Sequence, residues 1–312
     1  MSYTITQAMI DQFNAAVIML SQQKDSRLQQ ACQIASVVGK SFYAERLGSS
    51  EMQERTARHN ILPLSEDEHS RRKGTIHDMF SRKLIDRADT EKIIIDPQGK
   101  YVQNSVAAAN RAKDMWILAA LGGVAHAGEA GTTLINNYDV GECRIIKGDG
   151  SIAPAGSDST DTVATPLSVN KLMTAKTLLD SAEIDPDRRR FLVTNAYNIN
   201  ALLADTTLGA EEMRAVRDLK TGRITHILGF ELIQIEYRPS GTGLRYHSVE
   251  TDCVRSYAFA EGAITFGIGG DIRTVIERVP EVDADQILCT LEVGAERNEG
   301  PAVVELELKA AL

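Results

Sequence analysis

Aromatic residues make up only 5% of this 312-residue chain, and a single tryptophan is among them. Cysteine is equally sparse. Cys32, Cys143, Cys253 and Cys289 lie far apart with no Cys-x-x-Cys pair, a spacing that excludes a zinc ribbon or a redox motif and leaves buried, reduced thiols as the expectation. Long apolar runs are missing as well. The longest, Trp116 to Ala125, is too short to cross a bilayer, and the N-terminus places Asp11 inside its apolar pattern and shows no cleavage-site arrangement. The reading is a chain that is soluble and cytoplasmic when made, with no membrane partner. A basic excess is also lacking: the net charge is -9 and the pI about 5.3, which disfavours a surface that grips nucleic acid throughout. The imbalance is uneven, since residues 1–92 carry 13 basic and 12 acidic side chains and the other 220 carry 21 against 31.

Catalytic motifs are absent in the same way. No His-Glu-x-x-His, Gly-x-Ser-x-Gly or complete phosphate loop occurs. Gly39, Lys40 and Ser41 imitate the end of a phosphate loop, but Ile34 stands where its first glycine belongs. Gly267, Gly269 and Gly270 lack the order of a dinucleotide fingerprint and read as a turn or bulge. His59, His69 and His77 have no metal-ligand spacing, and His126 reads as a structural residue in a Gly-rich loop. No enzyme, metal or cofactor is expected.

What is present is material for a large core: 43% of residues are hydrophobic and 25% charged, enough for two domains or one with long excursions. Ile5, Met9, Phe13, Val17 and Leu20 recur at helical spacing, and Leu28, Cys32, Ala35 and Val38 continue a similar face, so that one or two amphipathic helices are expected, either for ordinary packing or as an arm. Residues 42–92 differ. There Arg46, Arg55, Arg58, Arg71, Arg72 and Lys73 mingle with Glu51, Glu54, Glu66, Asp67 and Glu68, and apolar anchors are few. A segment of that kind is a solvated loop, a lid, or something completed by another chain.

Asn104–Gly123 is the cleanest helix, capped by Asn104 or Ser105, rich in alanine and stopped by Gly122 and Gly123. Val106, Ala109, Trp116 and Ala120 share a stripe; Arg111 and Asp114 lie elsewhere and are placed to pair locally. Residues 137–147 read as a strand and 148–161 as a Gly/Ser/Asp-rich connection. Thr165 and Pro166 then open a helix through Ala182, with Val169, Leu172, Ala175 and Leu179 inward.

The most specific order of elements lies in Arg189–Tyr237: strand, helix, helix, hairpin. Phe191 and Val193 alternate with Leu192, and Asn195 caps a helix carrying Ile199, Leu202 and Leu203. Gly209 separates a second helix that ends at a Lys220-Thr221-Gly222 turn, after which Ile233, Ile235 and Tyr237 alternate with Gln234 and Glu236. Near the C-terminus Ile287, Cys289, Leu291 and Val293, and then Val304, Leu306 and Leu308, alternate with polar residues. They are expected to form a hairpin across residues 294–301, covered by the Ala-rich helix.

FLVTNAYNINALL, LKTGRI and LGFELI within that stretch, DPQGKYVQNSVAAANRAKDMWILAALGG before it and QILCTLEVGAERNEGPAVVELE after it resemble, in order, the tailed-phage major capsid proteins of the Hong Kong 97 type. The resemblance implies an α+β fold with an N-terminal arm (1–41), an extended loop and its return (42–100), a peripheral domain with the spine helix (101–160), an axial domain (161–270) and the closing strands of the peripheral domain (271–312). It implies a protein that self-assembles in the host cytoplasm into the icosahedral shell of a tailed double-stranded DNA phage. A cellular nanocompartment shell of encapsulin-like type is the alternative. The implied partners are copies of itself as hexamers and pentamers, a portal, scaffolding or decoration proteins, and packaged DNA touched non-specifically from inside. The extended loop would be a β-hairpin lying over the adjacent subunit, which makes Arg55, Arg58, Glu66, Asp67, Glu68, Arg71, Arg72 and Lys73 the candidate intersubunit contacts. Arg71, Arg72 and Lys73, read as screened rim charges, are worth roughly 0 to 1 kcal/mol each.

Overall fold

Alternating burial along a few long strands sets the frame. In the computed structural model, which describes residues 22–50, 52, 54, 64, 67–86, 98–157, 164–204, 226–236, 244, 246–248 and 253–310, the first sheet has the order β1-β13-β14-β4. Strands β13 (Ile264–Val279) and β14 (Ala284–Arg297) form a long antiparallel hairpin. Strand β4 (His77–Asp86) runs antiparallel to β14, and β1 (Gln33–Ser36) runs parallel to β13. The register of β13 on β14 shifts on either side of Gly270, so the glycine group forms the expected bulge.

Helix α1 (Gln98–Gly122) packs against this sheet through Ala109, Ala112, Ile117, Leu118 and Leu121, all buried. The alanines let the backbone come close to the strands, and each large side chain below contributes about 1.5–3 kcal/mol by leaving water. Trp116 lies at the margin, its ring stacked on His77 with centroids 3.9 Å apart. The helix starts six residues before Asn104, whose side chain accepts from the Gln22 amide at 2.8 Å, and Ser105 is buried mid-helix. A cap reading by residue type alone could not anticipate that.

Asp114 departs further from expectation. It is 1% exposed and accepts hydrogen bonds from Ser26 Oγ at 2.6 Å and from the backbone N–H groups of Arg27 and Leu28 at 3.1 Å each. One carboxylate therefore holds the segment entering from the N-terminal side against α1, and Arg111 adds a bond to Gln22 Oε1 at 2.8 Å. The helical face expected to continue through Leu28, Cys32, Ala35 and Val38 is instead a single 3-10 turn (Gln29–Ala31) followed by β1. Leu28, Ala31 and Cys32 still reach the core. Of the expected face only Leu28 and Cys32 are buried, Val38 being fully exposed, and pairing with β13 decided the backbone beyond Cys32. Residues 1–21 lie outside the described ones.

The second sheet has the order β7-β15-β12-β8-β10-β9, with β11 (Tyr246–Ser248) also paired to β12. Its members are β7 (Arg144–Ile146), β15 (Val303–Lys309), β12 (Cys253–Ala260), β8 (Arg190–Thr194), β10 (Phe230–Gln234) and β9 (His226–Ile227). Both faces are covered, as a strand buried at every position requires. Phe191, Val193, Tyr257 and Phe259 join the core shared with α1 and the first sheet. Leu192, Ala258, Val304, Leu306 and Leu308 face the other way, onto Leu172, Ala175 and Leu179 of helix α2 (Val169–Ser181). That helix begins at Ser168, whose Oγ accepts from Lys171 N at 3.4 Å, and not at Thr165 and Pro166. Helix α3 (Ala196–Ala204) follows β8, and Asn195 Oδ1 caps it by accepting from Asn198 N at 3.1 Å. Its expected successor and the Lys220-Thr221-Gly222 turn fall outside the described residues.

The expected C-terminal hairpin does not form. β14 pairs with β13 and β4, whereas β15 crosses into the second sheet between β12 and β7. Alternation identifies a strand and says nothing of its neighbour. Similarly, only Arg144–Ile146 of the expected strand 137–147 is extended, because Asp139 Oδ2 accepts from Asn136 N at 2.7 Å and makes the preceding residues a turn.

Candidate assembly interface

Residues 42–92 hold more structure than their composition suggests. Strands β2 (Ser41–Leu47) and β3 (His69–Thr75) pair antiparallel as the arms of a hairpin, and β3 continues across β5 (Ala125–Ala127) to β6 (Thr133–Ile135) in a third sheet. The hairpin is thus fixed at its base and open at its far end, where Leu47, Gly48, Ser49, Ser50, Asp67, Glu68 and His69 are all exposed.

The base is fixed by one aromatic ring. Phe42 is buried, and its ring fills the space that side chains at Gly74 and Gly267 would occupy: a Cβ added at Gly74 would lie 2.1 Å from Phe42 Cζ, and one at Gly267 would lie 2.6 Å from Phe42 Cε1. Gly74 is its cross-strand partner and Gly267 belongs to β13, so the ring pins the hairpin to the first sheet. Both glycines are there because any larger residue would push the ring out.

The second fixing is ionic. Arg72, opposite Ala44 on β2 and Ala127 on β5, is 3% exposed and donates from Nη2 to Glu142 Oε1. Arg297, at the end of β14, is buried as deeply and donates from Nη1 to the carbonyls of Leu121 and Gly123 at 3.0 and 2.9 Å, closing the C-terminal end of α1 where such carbonyls need a cation. Its neighbour Glu296 accepts from the backbone N–H of His126 at 2.9 Å. Burial pushes the Glu296 carboxyl up to about 7, against the opposing pull of that N–H, Arg297 and Arg72.

The candidate contacts therefore divide. Arg71 lies on the open face, 2.7 Å from Glu45 and 5.2 Å above the Tyr43 ring. Lys73 Nζ donates to the Ala130 carbonyl at 3.2 Å. Asp67 and Glu68 are exposed near the far end, and Arg55, Arg58 and Glu66 lie outside the described residues. Arg72 is not a rim charge: strand alternation turns it toward the body, and its guanidinium pairs inside its own subunit. Phe42, Glu142, Glu296 and Arg297 were not singled out from sequence. The one available signal was the charged pair Glu296-Arg297 at the end of a strand whose other residues alternate apolar and polar. Among the described residues no group of three or more His, Cys, Asp or Glu side chains is arranged to hold a metal. The four cysteines are free and buried, and desolvation pushes the thiols of Cys32, Cys143 and Cys253 up to about 12.

A long helix laid on a long β-hairpin, a second sheet sandwiched between that core and another helix, and an anchored hairpin arm are the parts of the Hong Kong 97-type capsid fold. Solved shells match it from end to end. The capsid of Ralstonia phage GP4 superposes with a TM-score of 0.71 at 10% identity, covering 97% of this chain and 95% of that one. The capsid of cyanophage P-SCSP1u gives 0.67 at 14% identity, covering 97% and 94%. The capsid of cyanophage Pam1 gives 0.67 at 12% identity, covering 96% of each. The sequence profile of the phage capsid protein family matches residues 5–309, and the chain belongs to that family. It is a major capsid protein, a building block of a phage shell, and this membership favours the virion wall over a cellular nanocompartment. Among curated proteins none matches the chain by sequence.

Proposed function

We propose that this chain builds the closed wall around the double-stranded DNA of a tailed phage, in hexamers and pentamers whose members are locked together by the β2–β3 hairpin lying on the adjacent subunit. The observation that carries the interlocking is apolar exposure: Tyr43, Leu47, Met52 and Leu64 all leave large side chains in solvent, the last two almost entirely. Two such residues on β2 and two in the segment between β2 and β3 suit a surface that a partner completes. Arg55, Arg58, Glu66, Asp67, Glu68, Arg71 and Lys73 would frame that contact. Individually weak contacts suffice, because a subunit in a closed shell binds several neighbours at once and each new contact forms at high effective concentration.

In this reading the first sheet with α1 is the peripheral part of the subunit and the second sheet with α2 and α3 the axial part. Assembly takes place in the host cytoplasm, around a portal and with scaffolding or decoration proteins as helpers, and packaged DNA is met without sequence preference. The test replaces residues 48–68 with a short Gly/Ser linker, sparing both arms of the hairpin base. Circular dichroism is expected to match the parent, while sedimentation velocity shows only small oligomers. Normal shells from this variant would remove the hairpin from the assembly mechanism.

A further inference from the structure

Four charged side chains from three separate segments meet where the hairpin joins the body: Arg72 from β3, Glu142 from the turn before β7, and Glu296 and Arg297 from β14. All four are at least nine-tenths buried. His126 of β5 sits at their rim, its Nδ1 3.8 Å from Glu296 Oε2 and its side chain 45% exposed. Thr265 of β13 lies opposite Glu296 across the strand pair. The network is under-filled. Arg72 uses Nη2 on Glu142, while its Nε and Nη1 have no hydrogen-bond partner among the described residues. The same holds for Glu142 Oε2 and for Nε and Nη2 of Arg297, although Glu142 Oε2 and Arg297 Nε stand only 3.6 Å apart. Spare buried donors beside two carboxyls permit more than one pairing, and in such a network a single proton changes which pairing is best.

We infer that the Glu296 carboxyl is a proton-operated latch for the hairpin: neutral, it leaves Arg72 to Glu142 and the β3–β5 seam closed, and ionised, it competes for Arg72 and favours opening that brings water to it. His126 stands at the rim of the network, 3.8 Å from the same carboxyl, so its part has to be separated from that of Glu296 by substitution. The direction follows from linkage. The seated form holds the Glu296 proton to about pH 7, whereas an opened form that exposes the carboxyl loses it near the ordinary value of 4.5. Below the lower value both forms are protonated and seating is strongest. Between the two, seating weakens as pH rises, and above the upper value the contribution is gone. The inference concerns the subunit itself and stands whether or not the hairpin lies on a neighbour.

Hydrogen exchange on the full-length unassembled chain, corrected for the intrinsic pH dependence of exchange, tests it at the amides of residues 71–75 and 125–127. Protection is expected to be roughly tenfold or more lower at pH 8 than at pH 5.5, unchanged with pH in E296Q, and still pH-dependent in H126N. Protection that does not vary with pH in the parent chain overturns the latch. So does pH dependence that survives in E296Q, or that disappears in H126N, which would give the role to the imidazole. If E296Q does not fold, the parent chain and H126N decide between the same outcomes.

Discussion

Adjacent arginines with the same composition-level appearance have opposite duties. Arg71 makes an exposed pair with Glu45, and R71E is expected to change subunit stability by less than about 1 kcal/mol. Arg72 faces inward, and R72M would take from the buried Glu142 the hydrogen bond it accepts and leave it Arg297 Nε at 3.6 Å, at about 1–3 kcal/mol. Urea denaturation of the unassembled subunit separates the two, and equal midpoints for both variants would contradict the inward pairing. Phe42 belongs to the same scale: F42A empties the slot between Gly74 and Gly267 and is expected to cost about 3–5 kcal/mol, read by the same measurement. Sequence could not separate Arg71 from Arg72, because the phase of β3 relative to the body is fixed by distant partners, the pairing with β5 and the seating of Phe42 against Gly267.

Elements were legible where their signal is local. The strand at Phe191–Val193, its Asn195 cap and the inward face of α2 follow from alternation, capping chemistry and helical spacing, all of which are properties of neighbouring residues. The strand partners were not legible, since β15 reads as half of a hairpin and in fact lies between β12 and β7. The site was legible only as a region. Its charges marked residues 42–92, but the residues that anchor the hairpin come from 142, 267, 296 and 297 as well. Asp114 shows the same limit on a helix, where its spacing suggested a surface pair and its function is to hold residues 26–28. D114A is expected to raise amide exchange at Arg27 and Leu28 at least severalfold while leaving α1 protected. Unchanged exchange there would show that packing of Leu28 alone holds the segment.

At the scale of the molecule, net charge constrains what the wall can face. With 31 acidic against 21 basic residues after position 92, the inner surface of the assembled shell is expected to be predominantly acidic, letting DNA slide rather than adhere. An electrostatic map of an assembled particle showing a strongly basic interior would refute this. The first sheet carries a different consequence, one of timing. β4 finds its partner in β14 only when His77 meets Val293 and Asp86 meets Ala284, and β1 waits for β13, with Gln33 opposite Thr265. A ribosome emitting about 5–20 residues per second leaves these strands without their partners for roughly ten seconds or longer. Contacts so distant along the chain slow folding and leave strand edges open to wrong partners. Refolding from urea is expected to pass through a collapsed intermediate and to lose yield as concentration rises, and a single fast phase with full recovery at every concentration would contradict it. The sheet that stiffens the finished subunit is the part the nascent chain must carry unfinished across most of its synthesis.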